Sequence, residues 1–219
     1  MKYRLVLFDL DGTLLDTLDD LSEAVNDAMA RRDLPGHSRQ EYMSMVGHGV
    51  RNLVKQALPV EMQEDDILVD AALADFKAYY TAHIDVHTHP YPGMPEVIRN
   101  LHEAGVQLAV VSNKFQEGAE YLVAKMFPGI LFVAVLGNRP GYPLKPDPEI
   151  VGDVLRRTGV RREEAVLVGD SPTDMKTAAN GGIDAIAVSW GYRSMKGIPG
   201  LTVVDKADDL LLSLCGQDR

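Results

Sequence analysis

Two carboxylates that stand two residues apart, Asp9 and Asp11, directly follow a short apolar run at positions 5–8. Residues i and i+2 of a strand point to the same side, so both carboxylates are expected at the tip of a buried strand. Gly12 follows them and permits a tight turn. Such a pair can share a hard cation such as Mg²⁺. Alternatively, one carboxylate attacks a substrate while the other moves a proton.

Later apolar runs also end in polar residues that suit phosphate chemistry: Ser112, Asn113, Lys145, Asp170 and Asp174. The hydroxyl of Ser112 and the amide of Asn113 can hold a phosphoryl oxygen through neutral hydrogen bonds. Lys145 precedes a proline and a predicted helix, where a fixed ammonium can neutralise a phosphoryl group and a nucleophile together. Asp170 and Asp174 add a third and a fourth carboxylate. The set predicts a site for an anionic substrate.

The elements that must position these residues fall into two groups. Apolar residues at helical spacing predict helices over 17–32, 50–58 and 67–80. Ser38 and Glu41 form a capping box that predicts the start of another helix. No strand pattern occurs from about residue 16 to residue 85. We call residues 16–85 the cap segment, because we expect them to form a helical cap domain beside the tip of the first strand.

Beyond residue 85 the pattern alternates between short apolar strands and helices. Strands are predicted at 106–111, 130–136, 165–168 and 185–188, with an edge strand at 201–204. Helices are predicted at 147–158 and 173–179. This alternation predicts an α/β fold with a doubly wound, Rossmann-like parallel sheet. The expected catalytic core is therefore residues 1–15 together with residues 86–219, and the cap segment is inserted into it.

The polar motifs resemble, in order, the four motifs of the haloacid dehalogenase-like phosphohydrolases. They are Asp9-Leu10-Asp11-Gly12-Thr13, Ser112-Asn113, Lys145-Pro146 and Gly169-Asp170-Ser171-Pro172-Thr173-Asp174. Further stretches resemble the phosphoglycolate phosphatase-like branch of that family: positions 14–21, 24–26, 46–50 and 91–96. The resemblance covers nearly the whole chain. It implies a Mg²⁺-dependent phosphatase with an inserted helical cap, and 2-phosphoglycolate is the best single prediction of its substrate.

The resemblance also implies a role for each carboxylate. Asp9 would attack phosphorus and form an aspartyl-phosphate. Asp11 would protonate the leaving alkoxide and then help to activate the water that hydrolyses the intermediate. Mg²⁺ would be held by Asp9, the backbone carbonyl of Asp11 and Asp170, with Asp174 as an indirect partner. Mg²⁺ and Lys145 would offset the repulsion between an attacking carboxylate and a phosphate dianion.

Substrate-binding roles follow in the same way. Ser112 and Lys145 would bind the transferring phosphoryl group, with Asn113 assisting. His48 and Arg51 lie in the part of the cap segment that resembles the substrate-specificity loop. Arg51 is a candidate for binding a substrate carboxylate with its planar fork, and a solvated surface arginine is the alternative. A further group of histidines stands where the cap segment should rejoin the core, with no clear metal-ligand geometry: His83, His87 and His89.

Composition limits the remaining possibilities. A net charge of −10 and an isoelectric point of about 5 are unlike a nonspecific nucleic-acid binder. No apolar stretch approaches the roughly 20 residues of a transmembrane helix. Because the first strand is predicted to begin at residue 5, we expect no signal peptide. Cys215 is the one cysteine, so no intramolecular disulfide forms. We expect a cytoplasmic enzyme whose partner is a small phosphorylated metabolite. The sequence leaves monomer and homodimer open.

Rival functions stay open on the same motifs. A sugar-phosphate phosphatase, a phosphoglucomutase-like enzyme or an inorganic pyrophosphatase would share the core. The mutases that resemble this family carry a histidine in the first cap helix. This chain has Asp20 and Leu21 at the nearby positions, which counts against a mutase. A non-catalytic binding module is a remote alternative. Loss of Asp9, Asp11 or Lys145 would be its signature, and all three residues are present.

Overall fold

A computed structural model describes residues 1–216 of the chain. Its strands are β1 (Leu5–Phe8), β2 (Leu15–Asp16), β3 (His89–Pro90), β4 (Gln107–Phe115), β5 (Phe132–Asn138), β6 (Ala165–Gly169), β7 (Asp184–Val188) and β8 (Thr202–Val204). Its α-helices are α1 (Leu18–Ala30), α2 (Arg39–Met45), α3 (Val50–Ala57), α4 (Asp66–His83), α5 (Met94–Glu103), α6 (Gln116–Met126), α7 (Glu149–Thr158), α8 (Pro172–Gly181) and α9 (Ala207–Cys215). Each predicted strand and helix is present, with ends that differ by a few residues.

Six parallel strands form one sheet in the order β5-β4-β1-β6-β7-β8. The short apolar strand β1 lies between β4 and β6, where Phe8 pairs with Val110 on one side and Val168 on the other. Val6 and Phe8 pack into the apolar layer that includes α5 and α9, whereas Leu5 and Leu7 pack against α7 and α8. Because both faces of β1 are covered, every position in it is apolar. The predicted α/β fold with a doubly wound parallel sheet is confirmed.

The cap segment contains four α-helices, α1 to α4, which pack on one another around buried aromatic residues. The capping box predicted at the start of α2 is confirmed, because Ser38 N donates to Glu41 Oε2 at 2.8 Å while Ser38 Oγ accepts from Glu41 N at 3.4 Å. The first turn of α4 is capped by Asp65, whose Oδ1 accepts from the N–H groups of Ile67 and Leu68. The apolar layer of these helices is continuous with the one under the sheet.

The cap segment enters and leaves through a two-stranded ribbon. In it β2 pairs antiparallel with β3, so that Leu15 lies opposite Pro90 and Asp16 opposite His89. Asp20 is almost fully buried and accepts hydrogen bonds from the backbone N–H groups of His87 and Thr88 at 2.8–3.1 Å. Both connections therefore lie together, close to the tip of β1.

The division at residues 15/16 and 85/86 stays a prediction, and the last three residues of the predicted core, 217–219, lie outside the described part of the chain. Within residues 1–216, no helix combines the length and the apolar character needed to cross a membrane.

Candidate active site

The polar residues predicted at strand tips converge at the carboxyl edge of the sheet. Asp9 directly follows β1, and Asp170 directly follows β6. Ser112 lies in the last part of β4, and Lys145 lies in the loop before α7. Parallel neighbouring strands end at one edge, so residues from four separate stretches meet there. All four side chains are buried.

Lys145 lies between two carboxylates, and we call Lys145, Asp9 and Asp174 the core centre. The Nζ atom of Lys145 is 2.9 Å from Asp9 Oδ1 and 2.6 Å from Asp174 Oδ1. The other oxygen of Asp174 accepts from Ser171 N at 3.1 Å and from Ser171 Oγ at 2.6 Å, which forms a capping box at the start of α8. Asp174 thus holds the lysine and also completes the cap at the start of α8. Every element that fixes the core centre belongs to the predicted core.

Asp170 is held by the loop that follows β7. Its Oδ2 accepts from the backbone N–H of Tyr192 at 2.7 Å, and its Oδ1 accepts from Thr13 Oγ1 at 3.3 Å. A Cβ atom at Gly191 would overlap Asp170 and the carbonyl oxygen of Gly12, so the loop approaches this closely only with glycine there. The sequence motifs do not indicate this contact between Asp170 and the loop. Gly191, which follows the strand predicted at 185–188, is the one sequence signal for it.

Burial and mutual repulsion shift the acidity of these groups. Burial raises the pKa of Asp9 to about 8, the charge of Asp174 adds to the shift, and Lys145 opposes it. Burial and the charge of Asp174 raise the pKa of Asp170 to about 7. Burial lowers the pKa of Lys145, but the carboxylates of Asp174 and Asp9 outweigh it and the net pKa is raised. Three buried carboxylates thus lie near one lysine, which contacts Asp9 and Asp174, and the cluster is short of positive charge.

The same carboxylates suit a divalent metal ion. Oxygen atoms of Asp9, Asp170 and Asp174 all lie within 4.8 Å of one another, and they form the one such acidic group among residues 1–216. Buried carboxylate oxygens are hard ligands of the kind that Mg²⁺ prefers. The side chain of Asp11 is not in this group. A role for its backbone carbonyl stays a prediction.

Asp11 instead meets a second buried lysine, and we call Lys114, Asp11 and Tyr80 the bridging centre. The Nζ atom of Lys114 donates to Asp11 Oδ1 at 3.1 Å and to Tyr80 Oη at 2.6 Å. Asp11 Oδ1 also accepts from Thr17 Oγ1 at 2.7 Å. Burial lowers the pKa of Lys114, but Asp11 and Tyr80 outweigh this and raise it overall. Since Tyr80 lies in α4, this centre joins the core to the cap segment.

Lys114 was missed by the sequence analysis because β4 is longer than predicted. The strand was expected to end at Val111, yet it shifts register there and pairs again with β5, where Phe115 lies opposite Asn138. Residues two apart in a strand share a side, so a lysine two positions after Ser112 was a usable signal.

Ser112 and Asn113 differ in how many of their side-chain hydrogen-bonding positions are already occupied within the protein. Ser112 Oγ accepts from Lys114 N at 3.2 Å and lines the cavity of the site. Asn113 Oδ1 accepts from Lys145 N at 2.8 Å, and its Nδ2 donates to the carbonyls of Lys145 and Gly47 at 3.2 and 3.0 Å. The amide of Asn113 is therefore engaged with backbone and connects the lysine loop to the cap segment.

A cavity of about 400 Å³, including its open mouth, lies between the strand tips and the cap segment. Its polar floor comes from the core: Asp9, Asp11, Ser112, Asn113, Lys114 and Lys145. Its roof comes from the cap segment: Leu21, Val46, Gly47, Gly49, Val50 and Leu53. A polar floor below an apolar roof suits a phosphoryl group that carries a small organic leaving group.

The structure does not bring Arg51 into this cavity. Its guanidinium pairs with Asp66 at 2.6 Å and with Asp70 at 2.9 Å, on the surface between α3 and α4. Val50 and Leu53 face the cavity, and at helical spacing residue 51 lies on another face of α3. This placement agrees with the surface alternative for Arg51, and a role in substrate binding stays a prediction. His48 is exposed and lies outside the cavity lining.

Among residues 1–216, His83, His87 and His89 do not form a group of candidate metal ligands. His83 Nδ1 pairs with the carbonyl of Tyr79 at 2.8 Å. His89 Nδ1 pairs with the carbonyl of His87 at the same distance, and His87 Nε2 lies 3.3 Å from Glu23. Each ring has its own local partner, so the rings have no common centre.

Comparison with known proteins agrees with the geometry. The sequence model of the haloacid dehalogenase-like hydrolase family matches residues 6–188, which include every motif residue of the site. The chain therefore belongs to the haloacid dehalogenase-like hydrolases. It falls in the phosphoglycolate phosphatase-like branch, and it is a phosphoric monoester hydrolase.

The relatives that support this branch match along almost the whole chain. The phosphoglycolate phosphatase of Mesorhizobium japonicum is 32% identical over 217 residues, which are 98% of this chain and 96% of the relative. Phosphoglycolate phosphatase 1 of Pseudomonas aeruginosa is 33% identical, over 95% of this chain and 78% of that one. The crystal structure of a candidate phosphoglycolate phosphatase from Lactobacillus delbrueckii subsp. bulgaricus superposes with a TM-score of 0.89 at 34% identity, covering 98% of this chain and 99% of that chain.

Proposed function

We propose that this protein hydrolyses 2-phosphoglycolate in a Mg²⁺-dependent reaction through an aspartyl-phosphate on Asp9. The observation that carries the proposal is the core centre: a buried carboxylate on the cavity floor, paired at 2.9 Å with a buried lysine, beside two further carboxylates. Phosphoryl transfer needs positioning and charge neutralisation more than covalent machinery, and this cluster supplies both.

The reaction would proceed in two steps on the chain's own residues. An oxygen of Asp9 forms a bond to phosphorus while the ester P–O bond breaks, and the leaving oxygen takes the proton of Asp11. Water then attacks the aspartyl-phosphate and gives a proton to Asp11, which restores the carboxylate of Asp9 and releases phosphate. Lys145 and Ser112 would hold the phosphoryl oxygens throughout. Removal of one such donor typically costs roughly 10²–10³ in rate.

A divalent cation would be held by Asp9, Asp170 and the backbone carbonyl of Asp11. It would supply the positive charge that offsets the phosphoryl group and the buried carboxylates. Asp174 would act through Lys145, because both of its oxygens already accept hydrogen bonds from Lys145 and Ser171.

Two observations support a small substrate. The cap segment covers the site with four apolar side chains, which leaves little room for a large leaving group: Leu21, Val46, Val50 and Leu53. The relatives at 32–33% identity are phosphoglycolate phosphatases. A location in the cytoplasm and the role of residues 16–85 as a separate cap domain stay predictions.

A screen of phosphate release tests the proposal. The substrates are 2-phosphoglycolate, a hexose phosphate, a nucleoside monophosphate, pyrophosphate and p-nitrophenyl phosphate, each with and without Mg²⁺. We expect 2-phosphoglycolate to give the highest kcat/KM, and Asp9→Asn to remove the activity. Asp208→Asn, at an exposed position on α9, is the matched control and should behave as wild type.

Other outcomes distinguish the alternatives. If pyrophosphate or a hexose phosphate leads and Asp9→Asn is inactive, the mechanism stands and the substrate is wrong. Activity retained in Asp9→Asn would remove the nucleophile from the proposal. Absence of turnover together with no Mg²⁺-dependent rise in melting temperature would favour the binding module.

A further inference from the structure

Lys114 is a fully buried lysine that the reaction described above does not use. Its side chain has no exposed surface, and its ammonium lies between the carboxylate of Asp11 and the hydroxyl of Tyr80. An ammonium buried without partners would be strongly unfavourable. The charge of the buried Lys114 is therefore stabilised by one core residue, Asp11, and one residue of the cap segment, Tyr80, together.

The contacts of Asp11 distinguish its two oxygens. Oδ1 accepts two hydrogen bonds, from Lys114 Nζ at 3.1 Å and from Thr17 Oγ1 at 2.7 Å. Among residues 1–216, no hydrogen-bond donor is found for Oδ2, and Asp11 lines the cavity. Two donors on Oδ1 fix the rotation of the carboxyl group and leave no room for a proton on that oxygen. A proton carried by Asp11 must then reside on Oδ2.

Tyr80 connects this arrangement to the cap segment. Its ring stacks on Phe76 of the same helix at 5.2 Å and meets Phe115 of the core edge-on at 6.0 Å. Lys114 also lies 4.7 Å from the centre of the Tyr80 ring. One residue earlier in β4, Asn113 donates to the carbonyl of Gly47. Two successive residues of β4 therefore contact the cap segment, and the orientation of Asp11 depends on where that segment lies.

We propose that Lys114 and Tyr80 are positioning residues that hold Asp11 for proton delivery while the cap segment is seated on the core. The inference rests on the proposed function, in which Asp11 gives its proton to the leaving oxygen as the ester P–O bond breaks and the Asp9–phosphorus bond forms. Lys114 binds no phosphoryl oxygen in this scheme. Lys114 fixes the rotation of the Asp11 carboxyl group. Tyr80 holds Lys114 in place only while the cap segment lies on the core.

The test compares two substrates that differ in their need for a proton. An alkyl phosphate releases an alkoxide, which must be protonated, whereas acetyl phosphate releases acetate, a weakly basic carboxylate that needs none. Both are small enough for the cavity. The measured quantity is kcat/KM, because it reports the steps up to the aspartyl-phosphate and excludes its hydrolysis. The alkyl phosphate is the one that ranks first among the alkyl phosphates of the screen above.

We expect Lys114→Met to lower kcat/KM for the alkyl phosphate by about 100-fold, as a misplaced catalytic group would, and for acetyl phosphate by less than about threefold. Tyr80→Phe removes one oxygen atom and should show the same selectivity with about a tenfold loss. Lys114→Arg should recover part of the loss. Lys55→Met and Tyr121→Phe, at surface pairs with Glu64 and Asp85, are the matched controls and should stay within about twofold of wild type.

Equal losses on both substrates, or no loss on the alkyl phosphate, would overturn the inference. If Lys114→Met does not fold by circular dichroism, Tyr80→Phe decides by the same two criteria. The wild-type and Asp9→Asn measurements test the proposed function separately. If they fail, the nucleophile is wrong and the inference falls with it; if they succeed while the selectivity is absent, only the inference is wrong.

Discussion

Lys145 and Lys114 are both buried lysines paired with an aspartate from the first motif, yet they differ in what fixes them. Lys145 meets Asp9 and Asp174, and all three belong to the predicted core. Lys114 meets Asp11, but its second partner is Tyr80 of the cap segment. The core centre is therefore complete without the cap segment, whereas the bridging centre is not.

Under the proposed function, this difference corresponds to the different tasks of the two carboxylates, Asp9 as nucleophile and Asp11 as proton donor. A nucleophile must be ready whenever a phosphoryl group arrives, and the core centre supplies a fixed charge environment for it. Proton delivery is useful only after the substrate is enclosed, because an exposed site admits competing water. A general acid tied to the cap segment meets that need. The comparison implies that changes at the core centre affect all substrates alike, whereas changes at the bridging centre depend on the leaving group.

Replacement of Lys145 is expected to have the largest effect. Lys145→Met leaves the carboxylates of Asp9 and Asp174 without their shared cation and removes a donor to the phosphoryl group. We expect kcat/KM to fall by about 10³-fold or more, and by similar factors for acetyl phosphate and an alkyl phosphate. Phosphate-release kinetics on both substrates measure it.

The control for this variant is Lys176→Met, which changes an exposed lysine on α8, the helix whose capping box includes Asp174. It should leave both rates near those of wild type. If the loss of activity in Lys145→Met depended strongly on the leaving group, the proposed difference between Lys145 and Lys114 would be wrong, because both lysines would then act on the same step.

An intermediate effect is expected from the acidity of the core centre. In the folded metal-free protein Asp9 and Asp170 have pKa values of about 8 and 7, and in the unfolded chain they titrate near the ordinary value of 3.8. The folded state therefore binds more protons between these limits, and its stability falls as the pH rises through them. Mg²⁺ must displace those protons, so it should raise the melting temperature more at pH 8 than at pH 6, by at least about 2 °C.

Asp170→Asn tests this directly by thermal melting without and with Mg²⁺. Without metal, its melting temperature should fall less between pH 6 and pH 8 than that of wild type, because one buried carboxylate is gone. With metal, most of the rise at pH 8 should be lost. Asp208→Asn serves as the matched surface control. A wild-type protein whose Mg²⁺ response is equal at both pH values would contradict the assignment of these carboxylates to a metal.

The smallest effect is expected at Arg51. Its ion pairs with Asp66 and Asp70 are exposed, and exposed ion pairs contribute little to stability. Arg51→Gln should therefore leave kcat and KM for 2-phosphoglycolate within about twofold of wild type, with little change in the midpoint of unfolding in urea. A rise of tenfold or more in KM alone would support the role of Arg51 in substrate binding.

Prediction from sequence succeeded where a residue's position follows from its own strand. Asp9 and Asp170 each come directly after a buried apolar run, and parallel strands end at one edge, so their convergence was predictable. The capping box of Ser38 and Glu41 was also predictable, because its partners are three residues apart. The sequence pattern did not point to Lys114 and did not decide between the two alternatives for Arg51, because a register shift and a helix face place these residues.

The sequence by itself determined the α/β fold, the inserted helical segment and the residues gathered at the strand tips, because these depend on local periodicity and on the way parallel strands align. Only the tertiary structure decided the partners of Lys114, which lie 34 and 103 residues away along the chain. Tertiary structure also decided that the Asn113 amide bonds to the backbone of Lys145, and that the Tyr192 N–H donates to Asp170. Such contacts depend on how separate elements pack, and no local pattern encodes that distance.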